Sequence, residues 1–414
     1  QSRQKKARGT MSRSLINRLI LVKLPVILLV AGCATQQYVP VPDIESAPFL
    51  ERQVTRSKGP VQLTAAVPSA EETLALFGLD LYAQGIQPVW LSAENRGDRR
   101  IRIALRSLDD QYFSPLEVAW LNHGGYSKEG KAAMDRWLYE QQMPRYIAPG
   151  STGSGFVFTH LTRGSKAFNV DVNQASDTFH FTFLLPIPGF NPDYMGVNFD
   201  ELYSDSEIVE LDLDGLRATL NDYECCSTDA SGQKVGDPLN AVIVGPRVAL
   251  RRALLRGDWL ESEANSADVA LARTHYYRGR PPDGTFHNTR PGSSERKELR
   301  VWMSPLLYDG KPVFVAQVSY DMSGSVGDGS FKDYRIDPDL DAARMFLMQD
   351  FWYSQSLKKM AFVSGIPEST IETPQQNFQG STYFTDGMRV VLFVTETPVA
   401  MIDTEILLWE RLNL

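Results

Sequence analysis

A short apolar segment near the beginning, residues 24–32, constrains the topology of this chain more than any other feature. Basic residues precede it, and the small residues Ala31 and Gly32 lie directly before Cys33. A basic stretch, a short apolar run and small residues at its end are typical of an export signal. The run is much shorter than the ~20 apolar residues that a membrane-spanning helix needs. We therefore expect residues 1–32 to direct export and to be absent from the folded protein.

The residues at the end of this run, Val30-Ala31-Gly32-Cys33, resemble the lipobox of bacterial lipoproteins. The resemblance implies translation from Met11, cleavage before Cys33, and acylation of Cys33 by several chains, such as palmitate. One chain binds a membrane only marginally, whereas two or more anchor a protein stably. Ala34 stands where lipoproteins retained in the inner membrane carry aspartate, which predicts an outer-membrane protein facing the periplasm. Prolines among polar residues predict an extended tether over residues 33–60.

Composition and charge limit the classes of partner that this chain can have. With 43% hydrophobic residues, 414 residues are enough for about two folded domains. Residues 1–32 carry seven basic and no acidic residues, so the remainder has 35 basic and 50 acidic residues and a formal net charge of −15. Such a surface repels phosphate backbones, and we expect no nucleic-acid partner. The expected partners are membrane lipid, through acylated Cys33, and envelope membrane proteins.

The first region, residues 61–215, has the pattern of a β-sandwich. Apolar residues alternate along several segments, as Phe156 and Phe158 do, which indicates strands with one buried face. The strands are expected at residues 88–94, 100–105, 112–113, 155–159, 166–172 and 178–185. A turn at 95–98 should connect the first two, and one helix is expected at 128–142. Residues 147–150 and 155–158 resemble a turn-and-strand pattern of immunoglobulin-like envelope modules, which implies that fold.

The second region, residues 216–414, predicts an α+β domain with helices packed on a mainly antiparallel or mixed sheet. Strands are expected at residues 241–244, 297–303, 312–322, 359–363 and 388–395. Helices are expected at 245–256 and 338–354. A Gly/Ser-rich loop should span residues 323–330.

Several stretches of this second region resemble the LssY C-terminal domain family. They are residues 225–229 (CCSTD), 236–244, 276–281 (YYRGRP), 298–302 (ELRVW), 318–321 and 335–344. The chain departs from the family pattern at Lys297 and Glu298, where a histidine is expected before the Leu-Arg-Val-Trp strand. The resemblance implies a domain that stands alone or is attached to phosphatidic-acid phosphatase-like or DedA-like membrane proteins. It implies no established activity.

An acidic group in this domain is the main candidate for a polar site. Its residues are Asp321, Asp337, Asp339 and Asp341, with Arg300, Arg335 and Arg344 close in sequence or in a neighbouring strand. Alternate aspartates can present oxygens to Ca²⁺, and they can also pair with the arginines. We favour a third interpretation, in which Asp337 caps a helix and Pro338 takes its first position. On that basis we expect no metal and no cofactor.

The two adjacent cysteines leave two possibilities open. If Cys33 carries lipid, Cys225 and Cys226 are the only thiols left in an oxidising compartment. They form either a vicinal disulfide or two buried thiols. Adjacent Cα atoms lie ~3.8 Å apart, below the usual disulfide range, so a bridge between them would be strained.

Catalytic motifs are sparse. The five histidines have no metal-ligand spacing, and only His275 and His287, which flank residues 276–281, are candidates for lining a cleft. We therefore expect a non-catalytic binding or assembly module. The alternative is an envelope hydrolase with a site near Arg300, Asp321, Arg335 and Asp337.

Overall fold

The structure, a computed structural model, describes residues 36–40, 44–289, 296–321 and 336–410. Cys33, residues 1–32, for which an export signal is expected, Arg335 and the Gly/Ser-rich segment at 323–330 lie outside these residues. The chain is a mixed α+β protein in which strands predominate, as the sequence predicts. None of its described helices has the length and apolar character needed to cross a membrane.

The first domain contains eight of the described strands and three of the described α-helices. They are β1 Val54–Lys58, β2 Val61–Ala66, α1 Ala70–Phe77, β3 Ile86–Asn95, β4 Ile101–Ala104, α2 Pro115–Leu121, α3 Lys128–Glu140, β5 Tyr146–Ile147, β6 Thr152–His160, β7 Ser165–Gln174 and β8 Asp177–Pro186. One sheet has the order β1-β2-β3-β6 and the other β5-β4-β7-β8. The two sheets share one core, as a sandwich does.

The outer face of the first sheet is covered by helices. Phe156 and Phe158 of β6 point toward α1, where they pack on Phe77, while Val157 points into the core between the sheets. The sequence prediction of one helix was incomplete, because α1 and α2 are also helical. Both are short, but each begins with a capping box, Ser69 with Glu72 and Ser114 with Glu117.

Two further expectations for this domain were wrong. Residues 95–98 do not close a hairpin, because β3 and β4 belong to different sheets. The Asn95 side chain donates to the carbonyls of Arg99, Ile147 and Ala148, at the point where the chain crosses from one sheet to the other. The described residues from Gln36 to Pro60 do not form a free tether. Tyr38 and Phe49 are buried, since their rings pack into the core beneath the helices.

The second domain is built around a mixed sheet. Its elements are β9 Val209–Leu211, α4 Leu213–Asn221, β10 Cys226–Thr228, β11 Val235–Pro238, β12 Ala241–Val244, α5 Arg247–Arg256, β13 Leu260–Glu261, α6 Ala267–Ala272, β14 Gly284–Thr289, β15 Arg296–Tyr308, β16 Lys311–Asp321, α7 Leu340–Tyr353, β17 Leu357–Val363, β18 Gln375–Gln376, β19 Thr382–Tyr383, β20 Arg389–Val394 and β21 Glu405–Ile406. The described sheet has the order β13-β14-β15-β16-β12-β20-β17-β21, and β9 pairs with β15.

Helices cover both faces of this sheet. α5 and α7 pack on one face, and α4 packs on the other. The pair β12–β20 is parallel, whereas the hairpin β15–β16 is antiparallel. Asp309 and Gly310 form the hairpin tip with positive φ at both residues, as a tight two-residue turn requires. β9 lies before the expected boundary at residue 216, yet it pairs with this sheet.

Candidate functional site

One face of the hairpin β15–β16 is polar. Glu298 and Arg300 alternate with Leu299, and successive side chains of a strand point to opposite faces. Arg300 lies opposite Gln317 on β16, and Glu298 lies opposite Ser319. Leu299 joins the apolar core beneath α5 and α7. The polar side chains therefore lie on the face away from these two helices.

Three polar side chains from other segments cover this face. Asp237 comes from β11, His275 follows α6, and Asn377 follows β18. Asn377 Nδ2 donates to Asp237 Oδ1 over 2.6 Å. Arg300 Nη1 and His275 Nδ1 lie 3.9 and 3.8 Å from Asp237 Oδ2. We refer to the following residues as the Arg300 cluster: Ser227, Asp237, His275, Glu298, Arg300, Gln317 and Asn377.

Burial governs the electrostatics of the cluster. Arg300 is only 1% exposed, and it donates to Glu298 Oε2 over 2.8 Å and to Gln317 Oε1. Burial raises the pKa of Asp237, an effect that the Arg300 charge and the Asn377 hydrogen bond oppose. Burial, and then the Arg300 charge, lowers the pKa of His275 well below its usual value. His275 is therefore neutral, and Arg300 has Glu298 as its nearest counterion.

The cluster does not have the geometry of a Ser-His-Asp triad. A triad places serine at one imidazole nitrogen and the carboxylate at the other. Here Ser227 Oγ lies 3.2 Å from His275 Nδ1, and Asp237 approaches the same nitrogen. Both Ser227 and His275 are fully buried. The arrangement cannot activate Ser227 as a nucleophile toward a bound substrate.

Little space adjoins the Arg300 cluster. A cavity of about 10 Å³ lies beside Glu298 and Arg300, which is room for a single water molecule. Gln317 Nε2 and Ser319 Oγ are buried and have no hydrogen-bond partner among the described residues. Such groups are costly to leave unpaired.

The acidic group predicted from the sequence is divided in the structure. Asp321 ends β16 and lies opposite Arg296, four residues along β15 from Arg300. At ~3.3 Å per residue, this separates the two positions by about 13 Å. Asp337 N donates to the Tyr320 carbonyl, so Asp337 lies at the Asp321 end of the hairpin. Arg335 lies outside the described residues.

The prediction that Asp337 caps the following helix was wrong by two residues. Asp339 is the N-cap of α7, and its Oδ1 accepts from the amides of Asp341 and Ala342. Asp337 Oδ1 instead accepts from the Asp339 amide. The helix begins later than expected because the Pro338 carbonyl accepts from Phe384 N. This pairing places Pro338 before the first helical residue, Leu340.

Asp341 and Arg344 form the ion-pair arrangement that was the second interpretation of the acidic group. Asp341 accepts from Thr385 Oγ1 and from Asp386 N, and it lies 3.3 Å from Arg344. Arg344 binds Asp386 through both terminal nitrogens, at 2.7 and 2.8 Å. These bonds fasten α7 to the segment before β20. Among the described residues, no group of three acidic, histidine or cysteine side chains has an arrangement that could hold a metal ion.

Replacing Asp339 by alanine is expected to lower the free energy of unfolding by ~1 kcal/mol, because two amides of α7 lose their acceptor. Asp339→Asn and Asp339→Ser should retain most of the stability, since either side chain accepts the same bonds. Urea unfolding of the three variants measures the effect. If Ca²⁺ raises the melting temperature of the wild type but not that of Asp339→Asn, Asp339 belongs to a cation site instead.

Several members of the Arg300 cluster were absent from the predicted site. Gln317 could have been identified from the sequence around it, because polar residues at alternate positions of an otherwise apolar strand predict a polar face. Asp237 lay in one of the stretches that resemble the LssY family. Asn377 had no local signal, since it meets Asp237 from a distant part of the chain. His275, expected as a cleft candidate, is instead 0% exposed within the cluster.

Cys225 and Cys226 lie at the beginning of β10 and form a disulfide in the structure. The β10–β11 ribbon that follows carries Ser227 and Asp237. The disulfide therefore adjoins the covering layer of the Arg300 cluster.

The oxidation state of this pair is testable by counting thiols. Mature protein purified without reductant should show no free thiol and should gain two on reduction, because Cys33 is expected to be blocked by lipid. Alkylation followed by mass spectrometry makes the measurement. Modification of both Cys225 and Cys226 in denatured, unreduced protein would exclude the bridge.

A larger concavity lies between the two domains. It has a volume of about 730 Å³ and is lined by residues 161–164 and 187–190 of the first domain and 260–263 of the second. His287 also lines it, as the sequence suggested. A smaller, mainly apolar cavity of about 250 Å³ lies between α5 and the aromatic residues Tyr194 and Phe199. The volume of the larger concavity is within the range of about 300–1,000 Å³ that is typical of small-ligand sites, whereas the smaller cavity is below that range.

Glu261 fastens the domains together at the wall of this cleft. Its side chain is 0% exposed and accepts from Arg251 Nη2 at 2.8 Å and from Tyr194 Oη at 2.9 Å. Its second oxygen accepts from Ser165 N of the first domain at 3.0 Å. Arg251 also donates to Ser165 Oγ. A buried carboxylate with this many donors sets the relative position of the two cleft walls.

The fold and site define the second domain as an α+β unit with a mixed sheet and a buried arginine-centred cluster. Residues 217–388 match the family described as LssY C-terminus. This confirms the family that the sequence stretches resembled. The curated proteins include no match to the chain.

Proposed function

We propose that this chain is a lipoprotein anchored to the outer membrane through acylated Cys33, with its folded part facing the periplasm. In this proposal it acts as a non-catalytic binding or assembly module, and its first domain is an immunoglobulin-like sandwich. The lipobox and the basic, short apolar segment before it support the anchor. The two sheets around one core support the assignment of the first domain.

One observation favours a non-catalytic binding or assembly module over a hydrolase. Arg300 is separated from Asp321 by about 13 Å along the hairpin, and the carboxylates that follow are engaged by the α7 amides and by Arg344. Residues that do not converge on a common cavity cannot act on one substrate. The interdomain cleft, by contrast, offers volume and mixed polar and apolar walls. We therefore assign recognition to this cleft.

The anchor is tested by changing Cys33 to serine. Because serine has no thiol to acylate, Cys33→Ser should not incorporate labelled palmitate and should accumulate as uncleaved precursor. Gel mobility and label incorporation make the measurement. Palmitate entering the Cys33→Ser protein as it enters the wild type would refute the assignment.

Recognition at the cleft is tested by photo-crosslinking in intact envelopes. A photoreactive residue at Arg163, which is exposed and lines the cleft, should capture a defined partner. The same residue at Asp98, which is exposed in the turn after β3, serves as the control and should not. Identical products from both positions would count against a cleft partner. Ester or phosphate-ester hydrolysis by purified protein, lost in Asp337→Asn at unchanged melting temperature, would establish the hydrolase instead.

A further inference from the structure

Helix α2 presents an apolar surface without a partner in the described chain. Trp120 is 73% exposed, and Leu116 and Leu121 are also exposed. The opposite side of the helix holds Val118 and Ala119 in the core beneath the first sheet. Leu116 and Trp120 are four residues apart and so lie on the same side of α2. We refer to Leu116, Trp120 and Leu121 as the α2 patch.

The described chain begins at Gln36, three positions after Cys33, and it is bound to the loop that follows α2. Gln36 N donates to the Gly125 carbonyl over 2.9 Å, and the Gln36 carbonyl accepts from Ser127 N over 3.0 Å. Gly130 permits this approach, since a Cβ there would lie 3.0 Å from the Gln36 carbonyl oxygen. Tyr38 packs edge-on against Tyr126 and is buried. The segment is thus held by the loop between α2 and α3.

Covalent geometry limits how far Cys33 can be from the α2 patch. Gln36 is three positions after Cys33, so their Cα atoms are at most about 11 Å apart. Leu121 is four residues from Gly125, a separation of at most about 14 Å. A lipid attached at Cys33 therefore holds this end of the first domain close to the bilayer. No long spacer separates the anchor from α2.

We propose that the α2 patch inserts into the interface of the membrane that carries the acyl chains of Cys33. Tryptophan favours the interfacial region, where its ring meets acyl chains and its N–H meets water. The mature chain is strongly acidic, so the contact is apolar and does not depend on anionic lipid. The acyl chains and α2 together fix how the interdomain cleft is oriented toward the periplasm. This inference rests on the proposed acylation of Cys33.

Fluorescence quenching by lipid tests the insertion. Acylated full-length protein is placed in phosphatidylcholine vesicles with and without bromine on the acyl chains, after mass measurement has verified the acylation. The bromine should quench part of the wild-type tryptophan emission. Trp120→Phe should lose that quenching. Trp352→Phe is the matched control, because Trp352 is half-buried in the second domain, and it should keep the quenching.

The outcomes separate this inference from the proposed function. Acylated protein that attaches to vesicles but shows equal emission with both lipids overturns the insertion of α2 and leaves the anchor intact. Unmodified Cys33 overturns both. A dimer in solution that dissociates in Trp120→Ser, with no quenching by brominated lipid, would assign the α2 patch to a second copy of the chain and also overturns the proposal.

Discussion

Replacing Arg300 by methionine is expected to lower the free energy of unfolding by about 4 kcal/mol. The change removes the cation 3.9 Å from the buried Asp237 carboxylate, and it removes from Glu298 the arginine at 2.8 Å while Arg296 stays at 3.7 Å. Methionine has a similar length and adapts to irregular space, so loss of the charge dominates over loss of packing. Urea unfolding followed by circular dichroism measures the loss.

Two further variants test this explanation. Adding Glu298→Gln to Arg300→Met should recover part of the loss, because it removes a buried charge that has lost the closer of its two arginines. Arg247→Met is the surface control, since Arg247 pairs with Asp200 in solvent and should cost less than about 1 kcal/mol. If Arg300→Met unfolds at the wild-type urea concentration, Arg300 does not stabilise the sheet, and a role in ligand recognition becomes the better explanation.

Changing Glu261 to alanine is expected to lower the free energy of unfolding by about 3 kcal/mol and to loosen the domain interface. The change removes the acceptor for Arg251, Tyr194 and Ser165. Arg251 retains some contact with water. The loss of stability should therefore be at the lower end of the range observed when a buried ion pair is broken. In calorimetry, the Glu261→Ala protein should unfold in two separate transitions. The two domains of the wild type should unfold at more similar temperatures.

Conservative and neighbouring changes provide the comparison. Glu261→Gln keeps an acceptor for Tyr194 or Ser165 but loses the charge opposite Arg251, so its effect should be smaller than that of alanine. Glu263→Ala alters an exposed residue of the same cleft and should change stability by less than about 0.5 kcal/mol. Equal melting curves for Glu261→Ala and Glu263→Ala would show that Glu261 does not fasten the domains.

Local patterns predicted the strands β12, β15, β16, β17 and β20 and the helices α5 and α7 of the second domain, but they missed α4, α6 and the remaining strands. β12 occupies the expected residues, because a short β-branched run before Gly-Pro leaves few alternatives. The start of α7 was misplaced, since its N-terminus is set by pairing between Pro338 and Phe384, which are distant in sequence. Most members of the Arg300 cluster were missed for the same reason, although Arg300 itself belonged to the predicted polar site. The members come from six segments, and only the polar alternation on β15 and β16 was visible locally.

The position of β20 decides which fragments of this chain can fold. β20 lies between β12 and β17, and it begins at Arg389, directly after the last residue of the LssY match. Val390 pairs with Ala241, which lies far before it in the sequence. The central strands of the sheet can therefore all be paired only after residue 394 has left the ribosome. A fragment trimmed to residues 217–388 would expose two unpaired strand edges and should aggregate, whereas one extended through β21 has every central strand in place.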